Sequence, residues 1–103
     1  LFRSTYLHMA AVFACNFANH MYTLSAYLLE KQGLPFDAML PLIDETARKV
    51  HTLCPAEAQT GPAVRKDANV MNKHLEMLAE EPELKEIYKI ISKSICHSGQ
   101  NEV

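Results

Sequence analysis

The stretch from Ser4 to Glu30 reads STYLHMAAVFACNFANHMYTLSAYLLE, and its reading decides the fold. Ser4 is a candidate N-cap, the pattern runs on through Leu28 and Leu29, and Gly33 offers a left-handed C-cap. A helix of that extent rises on the order of 40 Å and is apolar on nearly every side, so other protein must enclose it. Strand-like words such as Ala11-Val12-Phe13 sit inside this longer pattern without flanking turn signals. The stretch is long enough to span a bilayer, but His8, Asn16, Asn19 and His20 are costly in hydrocarbon, and a membrane partner is not expected.

Beyond it, Leu34-Pro35 is a break, after which Phe36, Met39, Leu40, Ile43, Ala47 and Val50 recur at helical spacing. Pro41 inside that pattern predicts a kink or a one-turn prelude before the helix proper. Pro55 to Lys66, with Gln59-Thr60-Gly61-Pro62 at its centre, reads as the one substantial loop. Asp67 caps a third helix with an apolar stripe of Val70, Met71, His74, Leu75 and Leu78. Pro82 opens a fourth, burying Leu84, Ile87, Tyr88, Ile91 and Ile95, exposing Lys85, Glu86, Lys89 and Lys93, and fraying at Ser98-Gly99. The expected fold class is all-α, a helical bundle around one long central helix, with residues 1–103 as a single domain.

The 103 residues are 49% apolar and 21% charged, and five prolines with three glycines are too few for a disordered chain. A formal charge of -2 with both signs interspersed supplies no basic face to displace counterions, which argues against nucleic acid. Cys15, Cys54 and Cys96 are odd in number, far apart and without a CxxC pair; they read as buried thiols of a reducing, cytoplasmic compartment. The chain opens on Leu1 without the basic flank and cleavage site of a signal peptide, and reads as a segment of a longer protein.

Taking about 100° per residue, His8, Val12, Cys15, Asn19 and Tyr22 share one stripe of the first helix, with Asn16 and Thr23 to its side. An amide on an apolar helix either satisfies neighbouring backbone or faces a site where a ligand takes its bonds. Thr60-Gly61-Pro62 with Arg65, Lys66 and Asp67 forms a second constellation beside a helix N-terminus, where anions are favoured. Arg65 either pairs with an acid such as Asp67 or Glu45 or contacts a substrate or neighbouring domain. The five histidines suggest no metal, because Asn16 with His20 is the only ligand pair at helical spacing and no HExxH occurs. Cys15, inside an apolar run, reads as a core thiol, and the glutamates from Glu76 to Glu86 as a solvated face.

The words Leu7-His8-Met9-Ala10-Ala11-Val12-Phe13-Ala14-Cys15-Asn16, Pro41-Leu42-Ile43-Asp44-Glu45-Thr46 and Ala58-Gln59-Thr60-Gly61-Pro62-Ala63-Val64-Arg65-Lys66-Asp67, then His74-Leu75, resemble in that order an uncharacterised helical domain found after a Rossmann-like NADP-binding domain. Members are described as NADP oxidoreductases, similar to pyrroline-5-carboxylate reductase and deazaflavin-dependent NADP reductases. The resemblance spans residues 5 to 97 and implies a fold like the C-terminal domain of 6-phosphogluconate dehydrogenase, whose long helix packs on the Rossmann domain and often builds a dimer. In that superfamily the helix commonly carries a lysine with an asparagine four positions on, whereas here Val12 and Cys15 stand where the lysine would be.

The resemblance implies a substrate-side and dimerisation domain of an NADP-dependent oxidoreductase. His8 would be the proton donor and Asn16 the orienter of a carbonyl or imine, with Asn19, Thr60 and Arg65 binding a small-molecule substrate. The cofactor, NADP, would be held by the Rossmann-like domain of the parent protein. No GxGxxG follows a strand in this sequence, so the chain alone is expected to bind no dinucleotide and to be inactive. The rival reading is a non-catalytic helical module for homodimerisation, its polar stripe merely setting register.

Overall fold

The computed structural model describes residues 2–101, and every regular element among them is helical. In order these are α1 (Phe2–Ala11), a π-helical segment (Val12–Phe17), α2 (Ala18–Glu30), a 3-10 turn (Phe36–Met39), α3 (Leu40–Lys49), α4 (Pro55–Ala58), α5 (Ala68–Met77) and α6 (Pro82–Asn101). The chain divides into two compact units after Ile43.

In the first unit α1, the π segment and α2 follow one another without a break, so the long helix is present. It differs from expectation at its start and in its middle. Phe2 is already helical, which places Ser4 within the first turns rather than at a cap. Its C-terminus is as expected: Gly33 takes φ +68°, Gly33 N–H bonds to Glu30 C=O at 3.0 Å and Leu34 N–H to Leu29 C=O at 3.0 Å. That is the Schellman pattern, in which a residue free to adopt the left-handed region lets the chain satisfy two orphan carbonyls.

The enclosure demanded of this helix is not found among the described residues. No residue from Phe2 to Glu30 is buried, and Phe2, Leu7 and Phe13 are 75%, 72% and 66% exposed. Its side chains instead pack along the helix, with Phe2 on Tyr6 and Phe13 on Phe17, both edge-on at 5.0 Å between centroids. Phe36, in the 3-10 turn, lies 6.5 Å from the Tyr22 ring. The same turn is the one-turn prelude before α3 that Pro41 predicts, with Pro35 extended before it.

The second unit is built by capping and anchoring. Pro55 stands in the first turn of α4, whose start is closed by Glu57 and Ala58 N–H bonds to Cys54 C=O. The expected loop from Pro55 to Lys66 therefore begins with one helical turn. Asp67 caps α5 as predicted, its carboxylate accepting Val70 N–H at 3.2 Å. Val70, Met71, His74 and Leu75 are half-buried and Leu78 buried, so the α5 stripe stands. His74 Nδ1 and the Tyr88 hydroxyl share a 2.8 Å hydrogen bond between α5 and α6, the rings edge-on at 5.7 Å.

On α6 the expected pattern needs three corrections. Ile91 is 42% exposed, Lys85 is half-buried, and the helix continues through Ser98 and Gly99. A glycine lowers helix propensity by about 1 kcal/mol without obliging a stop. The cysteines are free thiols, but Cys15 and Cys54 are exposed and only Cys96 is half-buried. No helix among the described residues is long and apolar enough to cross a membrane.

Candidate functional site

The residues singled out in the sequence fall into two groups, His8, Asn16 and Asn19 on the long helix of the first unit and Thr60 and Arg65 in the second. All five side chains are exposed. Asn16 and Asn19 are exposed in this chain, so neither amide is obliged to find an internal partner.

The π segment changes which of these residues share a face. A turn closed by i→i+5 bonds takes between four and five residues, roughly 80 to 85° each instead of 100°. Wound through Val12–Phe17, that lag accumulates to about a quarter turn. Asn16 comes round to within about 10° of His8, and Asn19 turns roughly 80 to 90° away from it. The expected stripe of His8, Cys15, Asn19 and Tyr22 is therefore not the one the backbone makes; His8, Val12 and Asn16 line up instead. Thr23 bonds back to Asn19 C=O at 3.4 Å. Hydropathy periodicity carries no signal of the wide turn here, because the segment is apolar on every side and has no phase to lose.

In the second unit the loop from Gly61 to Asp67 is a wound ledge. Arg65 N–H bonds to Gly61 C=O at 3.4 Å, Lys66 N–H to Ala63 C=O at 3.1 Å and Asp67 N–H to Pro62 C=O at 2.9 Å. Two backbone positions lie at positive φ, Gly61 at +106° and Lys66 at +55°. A side chain at Gly61 would meet nothing within 4 Å, so the backbone and not crowding calls for glycine there. Lys66 carries a left-handed conformation that costs a non-glycine residue of order 1 kcal/mol, and such strain persists only where surroundings over-determine it. They do so here: Ala63 is 4% exposed, and its carbonyl accepts the Cys96 Sγ–H at 3.2 Å.

Neither acid expected to hold Arg65 does so. Asp67 is committed to Val70 N–H, and Glu45 takes two hydrogen bonds from the Arg48 guanidinium. Those bonds hold the Glu45 carboxyl below its usual range and push the Arg48 guanidinium up. Among the described residues Arg65 has no ion pair, so this cation projects from the ledge. Around the ledge lie two surface depressions. One, of about 310 Å³, is lined by Pro55, Val64, Ser94, Ile95 and Ser98 among others, and a smaller one of about 180 Å³ includes Thr60 together with Thr46 and Lys49. No motif drew attention to Lys49. No group of three or more histidines, cysteines, aspartates or glutamates among the described residues is placed to hold a metal ion.

A family model described as a domain of unknown function, DUF2520, matches residues 3–95. The crystal structure of a "putative NADP oxidoreductase" from Bacteroides fragilis is 63% identical to this chain, covering 88% of it with a TM-score of 0.87. The chain spans only 35% of that protein's length. No curated protein matches the chain.

Proposed function

The chain belongs to the DUF2520 family, and on that premise we propose that it is the substrate-side and dimerisation domain of an NADP-dependent oxidoreductase. The observation carrying this reading is the 63% identity to the Bacteroides protein, whose remaining length leaves room for a further domain. All 103 residues then act as one helical domain beside a Rossmann-like domain of the same protein, in the cytoplasm. Among the described residues there is no strand, and so no glycine-rich strand-to-helix turn of the kind that cradles a pyrophosphate. In this reading NADP is held by the other domain.

The bare long helix supports both proposed roles. Apolar side chains exposed to the extent of Phe2, Leu7 and Phe13 are covered in stable proteins by other protein, from the neighbouring domain or a second copy. The wide turn supports the choice of residues, since π segments occur frequently at functional sites and this one brings Asn16 into line with His8. In this reading the His8 imidazole gives a proton to a carbonyl or imine of a small-molecule substrate, and the Asn16 amide donates a hydrogen bond that orients it. Asn19, Thr60 and Arg65 bind the remainder of the substrate.

Turnover of NADPH by the full-length protein tests the proposal. His8→Ala and Asn16→Ala are each expected to lower kcat/KM about 100-fold, the lower end of what a positioned acid contributes. Wild-type rates in both variants remove these residues from the chemistry. Absence of any NADPH turnover, with light scattering showing a stable dimer, leaves the non-catalytic assembly module.

A further inference from the structure

The smaller depression on the second unit joins residues from two elements that no motif connects. Thr46 and Lys49 lie one turn apart on α3, Gln59 and Thr60 follow α4, and Val50, Pro55 and Ala58 supply apolar wall. We propose that this notch is a subsite for the oxyanion, carboxylate or phosphate, of a small substrate, with Lys49 its charge and Thr60 its directing hydroxyl. The inference rests on the functional reading above and extends it by naming a substrate class.

Charge is the first argument. Lys49 is the one formally charged residue lining the notch, although twelve aspartates and glutamates occur in the chain. The nearest acid along the helix, Glu45, is held by Arg48, and that guanidinium rather than Lys49 dominates its environment. An ammonium is a compact point charge with three donors, suited to an oxyanion.

Positioning is the second. The Gln59 amide donates to the Thr60 carbonyl at 3.0 Å, which ties down the backbone of a residue lining the notch. Thr60 is followed at once by Gly61, whose positive φ sets the direction in which the chain leaves the notch. The half-buried Lys49 is held at its own backbone, where Leu53 N–H and the Thr52 hydroxyl both bond to its carbonyl. At about 180 Å³ the depression has room for a headgroup with a short carbon stub.

The test titrates the 103-residue chain with acetate and, separately, with inorganic phosphate at constant ionic strength, following the resonances of Thr60 and the Lys49 side chain. Saturable shifts with either anion are expected, weakened about five- to tenfold by Lys49→Gln and by Thr60→Val and partly restored by Lys49→Arg. Acetate alone identifies a carboxylate, phosphate alone a phosphate ester. Shifts that never saturate, or that persist unchanged in Lys49→Gln with its remaining spectrum intact, overturn the subsite. In the full-length protein Lys49→Gln should raise KM about tenfold and leave kcat nearly unchanged. An unchanged KM beside normal NADPH turnover defeats the subsite while the function stands; lack of turnover defeats the function, and the anion titration still decides the notch.

Discussion

The long helix of the first unit is richer in apolar residues than the α5 to α6 region of the second, and the two are stabilised in different ways. Leu75, Leu78 and Leu84 in the second are half-buried or buried beside a capped helix start and a cross-helix hydrogen bond. Leu7, Phe13 and Phe17 in the first are 72%, 66% and 49% exposed, and the Phe13 and Phe17 rings meet each other along the helix. Apolar content fixes that a segment needs burial; amphipathic phase decides whether the chain itself provides it. A helix apolar on all sides offers no single face for one neighbouring element to cover.

This difference predicts opposite responses to equivalent substitutions. Leu78→Ala removes a buried side chain at the end of α5 and should cost about 2 to 3 kcal/mol in urea denaturation of the chain. Leu7→Ser and Phe13→Ser should change that stability by no more than about 0.5 kcal/mol, because the side chains are already in water. In the full-length protein the order should reverse for the proposed assembly, with the serine variants shifting any dimer toward monomer in light scattering. Equal destabilisation of the isolated chain by Leu7→Ser and Leu78→Ala would erase the contrast.

The Gly61 ledge sharpens the comparison at the level of backbone. Gly61→Val has open space for its side chain but must hold φ near +106°, which should cost about 1 to 2 kcal/mol. On the long helix the corresponding probe is Ala14→Val in the π segment, where only the modest helix penalty of a β-branched residue, about 0.5 kcal/mol, is expected. Thermal unfolding of the two variants separates them; a larger loss at Ala14 than at Gly61 would show that the strain is stored in the wide turn.

The two regions were also unequally legible. Asp67 and Gly33 announced their caps through side-chain and backbone chemistry local to a few residues, and both were found where expected. The α5 stripe was legible because polar residues mark its other face. On the first helix the same reasoning assigned Asn19 to the His8 stripe and left Asn16 aside, and the π turn exchanged them. An inserted residue in a helix leaves no trace when neighbouring positions are equally apolar. The kinship of the chain stands on the family match and the identity to a solved relative, not on burial of that helix, in which no residue from Phe2 to Glu30 is buried. Lys49 escaped notice because its partners, Gln59 and Thr60, come from another element, and spacing along the chain does not report such meetings.

The pH-dependent effect concerns the Tyr88 hydroxyl, which ties α6 to α5 through His74. Burial pushes the Tyr88 phenol above its ordinary value of about 10. The folded state therefore holds this proton more tightly than the unfolded chain does. The associated stability is complete below pH of about 10 and is lost as pH rises from there through the raised value. Tyr88→Phe removes the titrating group together with the hydrogen bond, at a cost of about 0.5 to 1.5 kcal/mol near neutral pH. Its stability should then decline less steeply than wild type across the alkaline range, so that the two denaturation curves converge as pH increases. His74→Phe keeps the phenol and should keep the steep decline; parallel curves for wild type and Tyr88→Phe would place the alkaline sensitivity elsewhere in the molecule.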